Sequence, residues 1–142
     1  MEDKIWYEIN NTRNYPKLGL IKVDDSNSFE NFDNIKEAID LFKSTLDWED
    51  MWNLHTASIR FIQGDILYLL RDNEGALGHV WFANNYLYNL FVHPRRKEGL
   101  SEEFVKACLN HIEEPTIACY CDKWNIRAQK FFEKVGFKRI SS

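Results

Sequence analysis

Leu90-Phe91-Val92-His93-Pro94-Arg95-Arg96-Lys97-Glu98-Gly99-Leu100-Ser101 combines three signals in one short run. An apolar strand runs into Pro94, three cations follow, and Gly99 precedes a helical stretch. The start of a helix leaves backbone N–H groups without partners and carries a partial positive charge, so it favours a phosphate. Gly99 would let the backbone approach such an anion, and Arg95, Arg96 and Lys97 add charge. Read alone, the same residues also describe a solvated basic turn.

The residues on either side extend this reading. Towards the C-terminus, Leu100, Phe104, Cys108 and Ile112 recur at helical spacing, which predicts a helix over 100–112. Thr116 to Cys121 reads as a strand. Asp122 then caps a helix over Lys123–Val135, and Gly136 stops it. Towards the N-terminus the period is two. Tyr86–Val92, Ala76–Phe82 and Ile66–Arg71 read as strands, the last two joined by an Asp72-Asn73-Glu74-Gly75 hairpin turn. Phe32, Ile35, Ile39, Phe42 and Leu46 predict a helix, with Asn34 and Glu37 as its cap. Asp47 opens a second helix, whose face is Trp48, Met51 or Trp52, His55, Ile59 and Ile62. Lys17–Val23 reads as a strand ending in an Asp-Asp-Ser-Asn turn, and Lys4–Ile9 as another short strand. The closing strand–helix–strand implies a parallel pair inside a mostly antiparallel sheet.

Composition narrows the classes. The 142 residues are 44% apolar and 15% aromatic, enough for one core, and they point to a single α/β domain over 1–142. No apolar run approaches the ~20 residues of a membrane span. The start of the chain lacks the apolar stretch of a signal peptide, so a cytoplasmic location is expected. The formal net charge of −4 argues against sequence-independent nucleic-acid binding. That charge is uneven. Residues 1–50 hold 6 basic and 12 acidic side chains, a sum of −6, and residues 51–142 hold 12 and 10, a sum of +2. This pattern suits a solvated acidic face, or a first third that attracts a cationic ligand while the rest holds an anionic one. Cys108, Cys119 and Cys121 form no disulfide framework and no zinc spacing, so they are read as reduced core thiols and no metal is expected.

A second motif follows the first: Asn125, Ala128, Phe131, Phe132, Gly136 and Phe137. Asn125 falls in the first turn of the last helix, where by itself it reads as a capping or turn-forming residue, and the Phe pair reads as core. With Arg96, Gly99 and Ser101 ahead of them, however, these residues resemble the GNAT superfamily of acyl-CoA N-acyltransferases. The family's loop reads Arg/Gln-x-x-Gly-x-Gly/Ala after a strand ending Val-x-Pro. Its later motif reads Asn-x-x-Ala-x-x-Phe-Tyr before Gly-Phe. The resemblance covers roughly residues 65–139. It implies a twisted, mostly antiparallel sheet flanked by helices, with a V-shaped splay between the parallel strands 86–92 and 116–121.

The resemblance also implies a reaction. Acetyl-CoA would lie in that splay as co-substrate, its pantetheine paired with backbone at Phe91 and Val92. Its pyrophosphate would take N–H groups from Lys97, Glu98, Gly99, Leu100 and Ser101, with Arg96 at the start of the loop motif and Asn125 and Phe132 beside the pantetheine arm. A primary amine of a small molecule or peptide would attack the thioester directly. The family's frequent general-acid Tyr is Phe132 here, and Tyr120 is the candidate substitute. The candidate base is His79, because Asn89 stands where relatives often place a carboxylate. A cationic acceptor suits the acidic first third. A rival reading is a non-catalytic CoA-binding or interaction module of the same fold. The chain stops five residues after Phe137, where the family usually adds a strand pair. The Lys4–Ile9 strand, or a second copy in a homodimer, is expected to cover the open edge.

Overall fold

The computed structural model describes residues 3–45, 54–93 and 97–141. Along them run β1 (Lys4–Asn10), β2 (Ile21–Val23), α1 (Phe32–Thr45), α2 (Leu54–Ile62), β3 (Ile66–Asp72), β4 (Gly75–Ala83), β5 (Tyr86–Val92), α3 (Leu100–Leu109), β6 (Thr116–Asp122), α4 (Ile126–Val135) and β7 (Lys138–Ser141). The strand order is β2-β3-β4-β5-β6-β1-β7. Pairing is antiparallel except between β5 and β6, which run parallel at Tyr86↔Ala118. The expected mixed α/β class, flanked by helices, is what the chain adopts. The chain forms two compact units: Met1–Leu18 with Asn85–Leu87 and Lys97–Ser142, and Gly19–Asn84 with Tyr88–Arg96.

The first unit is built on β1. Its side chains alternate, with Ile5, Tyr7 and Ile9 buried and Lys4, Trp6, Glu8 and Asn10 exposed or half-exposed, as a strand with one buried face requires. The register sets Ile5 opposite Cys121, Tyr7 opposite Cys119 and Ile9 opposite Ile117, so the buried face continues across β6. Tyr7 meets Phe132 of α4 at 5.8 Å between ring centroids, and Phe132 meets Phe137 at 5.7 Å. Gly136, at φ 121°, ends α4. Phe137 N–H then reaches back to Phe132 O at 2.9 Å and Gly136 N–H to Glu133 O at 3.1 Å, the Schellman pattern. Beyond β1, the Asn11 amide donates to Leu109 O at 3.1 Å and Ile112 O at 2.9 Å, satisfying carbonyls at the end of α3.

The second unit packs α1 and α2 on β2, β3 and β4. Its core joins Val23, Ile35, Ala38, Ile39, Ala57, Phe61, Leu67, Leu69 and Trp81. Phe61 stacks on Trp81 at 5.1 Å. The buried Asp65 carboxylate accepts from the Trp81 indole and from Arg60 Nε, both at 2.6 Å. Arg60 in turn lies 3.9 Å over the Tyr88 ring. The Asp72–Gly75 hairpin forms as expected, with Glu74 N–H on Asp72 Oδ1 at 2.9 Å.

Several expectations change. The Lys17–Val23 strand shrinks to Ile21–Val23, the three residues that pair with Leu69, Tyr68 and Leu67 of β3. Asn34 and Glu37 lie inside α1 and do not cap it. Glu37 instead accepts from Ala76 N–H at 2.8 Å and pairs with Arg71. The buried face of α2 is Ala57 and Phe61, whereas Ile59 and Ile62 are exposed, Ile62 at 72%. The proposed starts of α2 at Asp47, Trp48, Met51 and Trp52 lie outside the described residues, as does Leu46. Asp122 does not cap α4. It closes β6 and pairs with Lys4, and Asn125 takes the cap. β1 covers the edge of β6, one of the two arrangements expected. A strand that was not foreseen, β7, pairs with β1 on its other side.

Candidate functional site

The stretch from β5 to α3 passes through Pro94, Arg95 and Arg96, which lie outside the described residues, and resumes at Lys97. Gly99 is the N-cap of α3 at φ 86°, a left-handed conformation that favours glycine. A Cβ built there would meet nothing within 4 Å among the described residues, so the glycine is required by the backbone rather than by a close neighbour. Among the described residues no side chain caps α3. Leu100 N–H turns back to Lys97 O at 3.2 Å, and Glu103 N–H makes the first helical bond, to Gly99 O, at 3.1 Å. The first turn therefore keeps the character of an anion site.

Glu98, Glu102 and Glu103 would oppose an anion there. Glu102, however, is held by Lys106 at 2.9 Å and approached by Lys134 of α4 at 3.9 Å. That pairing offsets its charge and brings the amines of α3 and α4 to the same carboxylate.

In the same unit Asn125 caps α4, its Oδ1 accepting from Ala128 N–H at 3.1 Å. The cap uses only the oxygen, and the amide nitrogen is not part of it. Phe132 is a core ring, 7% exposed, among Tyr7, Phe131 and Phe137. Tyr120 is half-buried on the opposite face of β6 from Cys119 and Cys121. All three cysteines are free and buried, and burial pushes each thiol upward. None is therefore an activated thiolate.

The second unit holds His79, Phe91 and Val92. His79 on β4 is 5% exposed and bonds Asn89 Oδ1 through Nε2 at 2.7 Å. Its ring lies 6.4 Å from that of Phe91. Burial lowers its pKa to about 4, with the Asn89 bond opposing the shift. It is neutral through the physiological range and a weaker base than free imidazole. Phe91 and Val92 are half-buried at the end of β5, and His93 N–H bonds Leu77 O at 2.7 Å just beyond them. Sequence reading missed Trp6 and Tyr86, which surround Tyr120. The available signal was a Trp on the exposed phase of an alternating strand.

A strand, a glycine-capped helix with an open first turn, and an Asn-capped helix after a parallel strand together narrow the family. The acetyltransferase (GNAT) domain profile matches residues 37–142. The chain belongs to the GNAT acetyltransferase family. A search of curated proteins returns no match to this sequence. Solved structures share the GNAT-like fold. One is a GNAT-family protein from Novosphingobium aromaticivorans whose acetyltransferase assignment is itself an inference. It has a TM-score of 0.67 and 13% identity, over 97% of this chain and 60% of that one. A functionally unknown protein from Staphylococcus epidermidis gives 0.64 and 9%, over 97% and 57%. A Drosophila protein gives 0.61 and 13%, over 97% and 48%. The chain thus spans about half to three-fifths of the length of these GNAT-fold structures.

Proposed function

We propose that this chain is an N-acetyltransferase that moves an acetyl group from acetyl-CoA to a primary amine of a small molecule or peptide. The observation that carries the reading is the start of α3. A left-handed Gly99, whose Cβ position meets nothing within 4 Å among the described residues, leads into a helix whose first turn no described side chain caps. The donor set suits a pyrophosphate: backbone N–H groups of Lys97, Glu98, Gly99 and Ser101, the Leu100 N–H being bonded to Lys97 O, with Arg96 and Lys97 adding charge. Acetyl-CoA supplies an activated acyl thioester. The Asn125 amide nitrogen is offered to a carbonyl of the pantetheine arm, and backbone groups of Phe91 and Val92 are its further proposed partners.

The amine nitrogen bonds to the carbonyl carbon, the C–S bond breaks, and the sulfur leaves with the electron pair. Buried, unactivated cysteines support direct transfer over an acyl-enzyme. With a pKa of about 4, His79 is a poor proton abstractor, so its proposed part is to orient Asn89 while solvent takes the amine proton. Tyr120 is the proposed donor to the leaving sulfur. A thiol near pKa ~8.5 needs little such help.

The test is thermal unfolding with and without acetyl-CoA. A ligand at about 100 times its Kd stabilises by about 2.7 kcal/mol, and Arg96→Glu should reduce the shift. No shift at millimolar acetyl-CoA overturns the reading. A shift without thiol release for any amine in a panel favours a non-catalytic CoA-binding module, a reading that Phe132 in place of the family's Tyr supports.

A further inference from the structure

The first unit carries an aromatic cluster of which the proposed transfer uses only Tyr120. Trp6 of β1, Tyr120 of β6 and Tyr86 of β5 stand side by side on the face of the sheet opposite the buried Ile5, Tyr7, Ile117 and Cys119. Ring centroids are 4.9 Å apart for Trp6 and Tyr120, and 6.5 Å for each of the other two pairs. The rings are accessible: Trp6 is 38% exposed, and both tyrosines are half-buried.

What this face prefers is visible in the chain itself. Lys4 curls over it, with Nζ 5.5 Å from the Tyr120 ring centroid. The same ammonium bonds the Asp122 carboxylate at the edge of the cluster. One cation therefore has an aromatic face on one side and a carboxylate on the other. Aromatic faces carry negative quadrupole potential and attract cations, indole most strongly. Trp6, the ring best suited to a cation, remains open beside the one that Lys4 covers.

We propose that the Trp6–Tyr86–Tyr120 face, with Asp122, binds an organic ammonium ion, and that Lys4 is its built-in competitor. The ligand class is a protonated alkyl amine with a short hydrocarbon stem. The stem lies on the rings and the head group replaces Lys4 Nζ at Asp122. Neutral or anionic molecules of the same size gain neither the quadrupole nor the carboxylate. The inference is independent of acetyl-CoA: it stands if the transferase reading fails, and it fails on its own test.

That test is titration of the whole chain, without acetyl-CoA, with butylammonium chloride. Butan-1-ol and sodium butyrate are the controls, and ionic strength is held constant. Backbone and indole N–H NMR shifts report which residues respond. Butylammonium should move the Trp6 indole and the Tyr120 and Asp122 amides, and neither control should. Lys4→Met removes the competitor and should tighten binding roughly threefold or more, whereas Trp6→Leu should weaken it by a similar factor. Lys4 is exposed, so its variant remains informative if Trp6→Leu does not fold. Equal responses to butylammonium and butan-1-ol overturn the site. So does a Lys4→Met variant that binds no tighter than the parent chain.

Discussion

His79 is an ionisable side chain buried in β4 and neutral in the folded state. Its folded pKa of about 4 lies below the ordinary imidazole value of 6.5. Between those values the unfolded chain binds the extra proton, so stability falls as pH drops from about 6.5 to 4. The total is about 3 kcal/mol. Urea unfolding at a series of pH values measures it. His79→Gln, which retains a donor for Asn89, should flatten that part of the profile, and an unchanged slope would refute the assignment. Gly99 makes a second residue-scale prediction. Its φ of 86° strains any L side chain, yet a Cβ there meets nothing within 4 Å among the described residues. Gly99→Ala should therefore cost about 1–2 kcal/mol of backbone strain, read as a lower urea midpoint. At this scale the sequence was informative wherever chemistry is local. Gly99 and Gly136 act within their own turns, and their places at a helix start and stop could be read from neighbours alone, whereas the sequence suggests Asp122 as the cap of α4 and the cap lies at Asn125. The environment of His79 was not legible, because its neighbours Asn89 and Phe91 stand on β5 and meet it only once the strands pack.

At the scale of elements, α2 is anchored to β3 and β4 by Asp65. One carboxylate oxygen holds both the Arg60 guanidinium and the Trp81 indole. Asp65→Asn keeps an acceptor for the indole and removes the charge facing Arg60, whose side chain is 26% exposed. Because Arg60 is not fully buried, the expected loss is about 2 kcal/mol, below that for breaking a fully buried pair. A shift in the thermal midpoint measures it. This network explains why the phase of α2 was misread. Ile59 and Ile62 look like core by hydropathy, yet Ala57 and Phe61 face the sheet while Arg60 is drawn to Asp65 and Tyr88. Strands with strict alternation, such as β1, were legible because burying one face imposes a period of two. The polar β7 has no such pattern, and only its pairing with β1 defines it.

At the scale of the whole molecule, charge leads to a prediction that belongs to no single contact. Residues 1–50 sum to −6 and residues 51–142 to +2. If the first third attracts a cationic acceptor, the acceptor KM should rise with ionic strength between 20 and 200 mM salt. A KM indifferent to salt would remove that argument.

The sequence by itself determined the element types along most of the chain, the parallel strand pair, the glycine-capped helix start and the family. These depend on hydrophobic period, capping chemistry and motif spacing, which are short-range properties of a linear string. The tertiary structure alone decided that β1 sits between β6 and β7, that Glu102 is neutralised by Lys106 and Lys134, and that Trp6, Tyr86 and Tyr120 share one face with Lys4. Trp6 and Tyr120 are 114 residues apart in sequence and become neighbours only through the β1–β6 register. That register is chosen by burying Ile5, Tyr7 and Ile9 against Cys121, Cys119 and Ile117. A slip of one residue would turn all three apolar side chains to the other face.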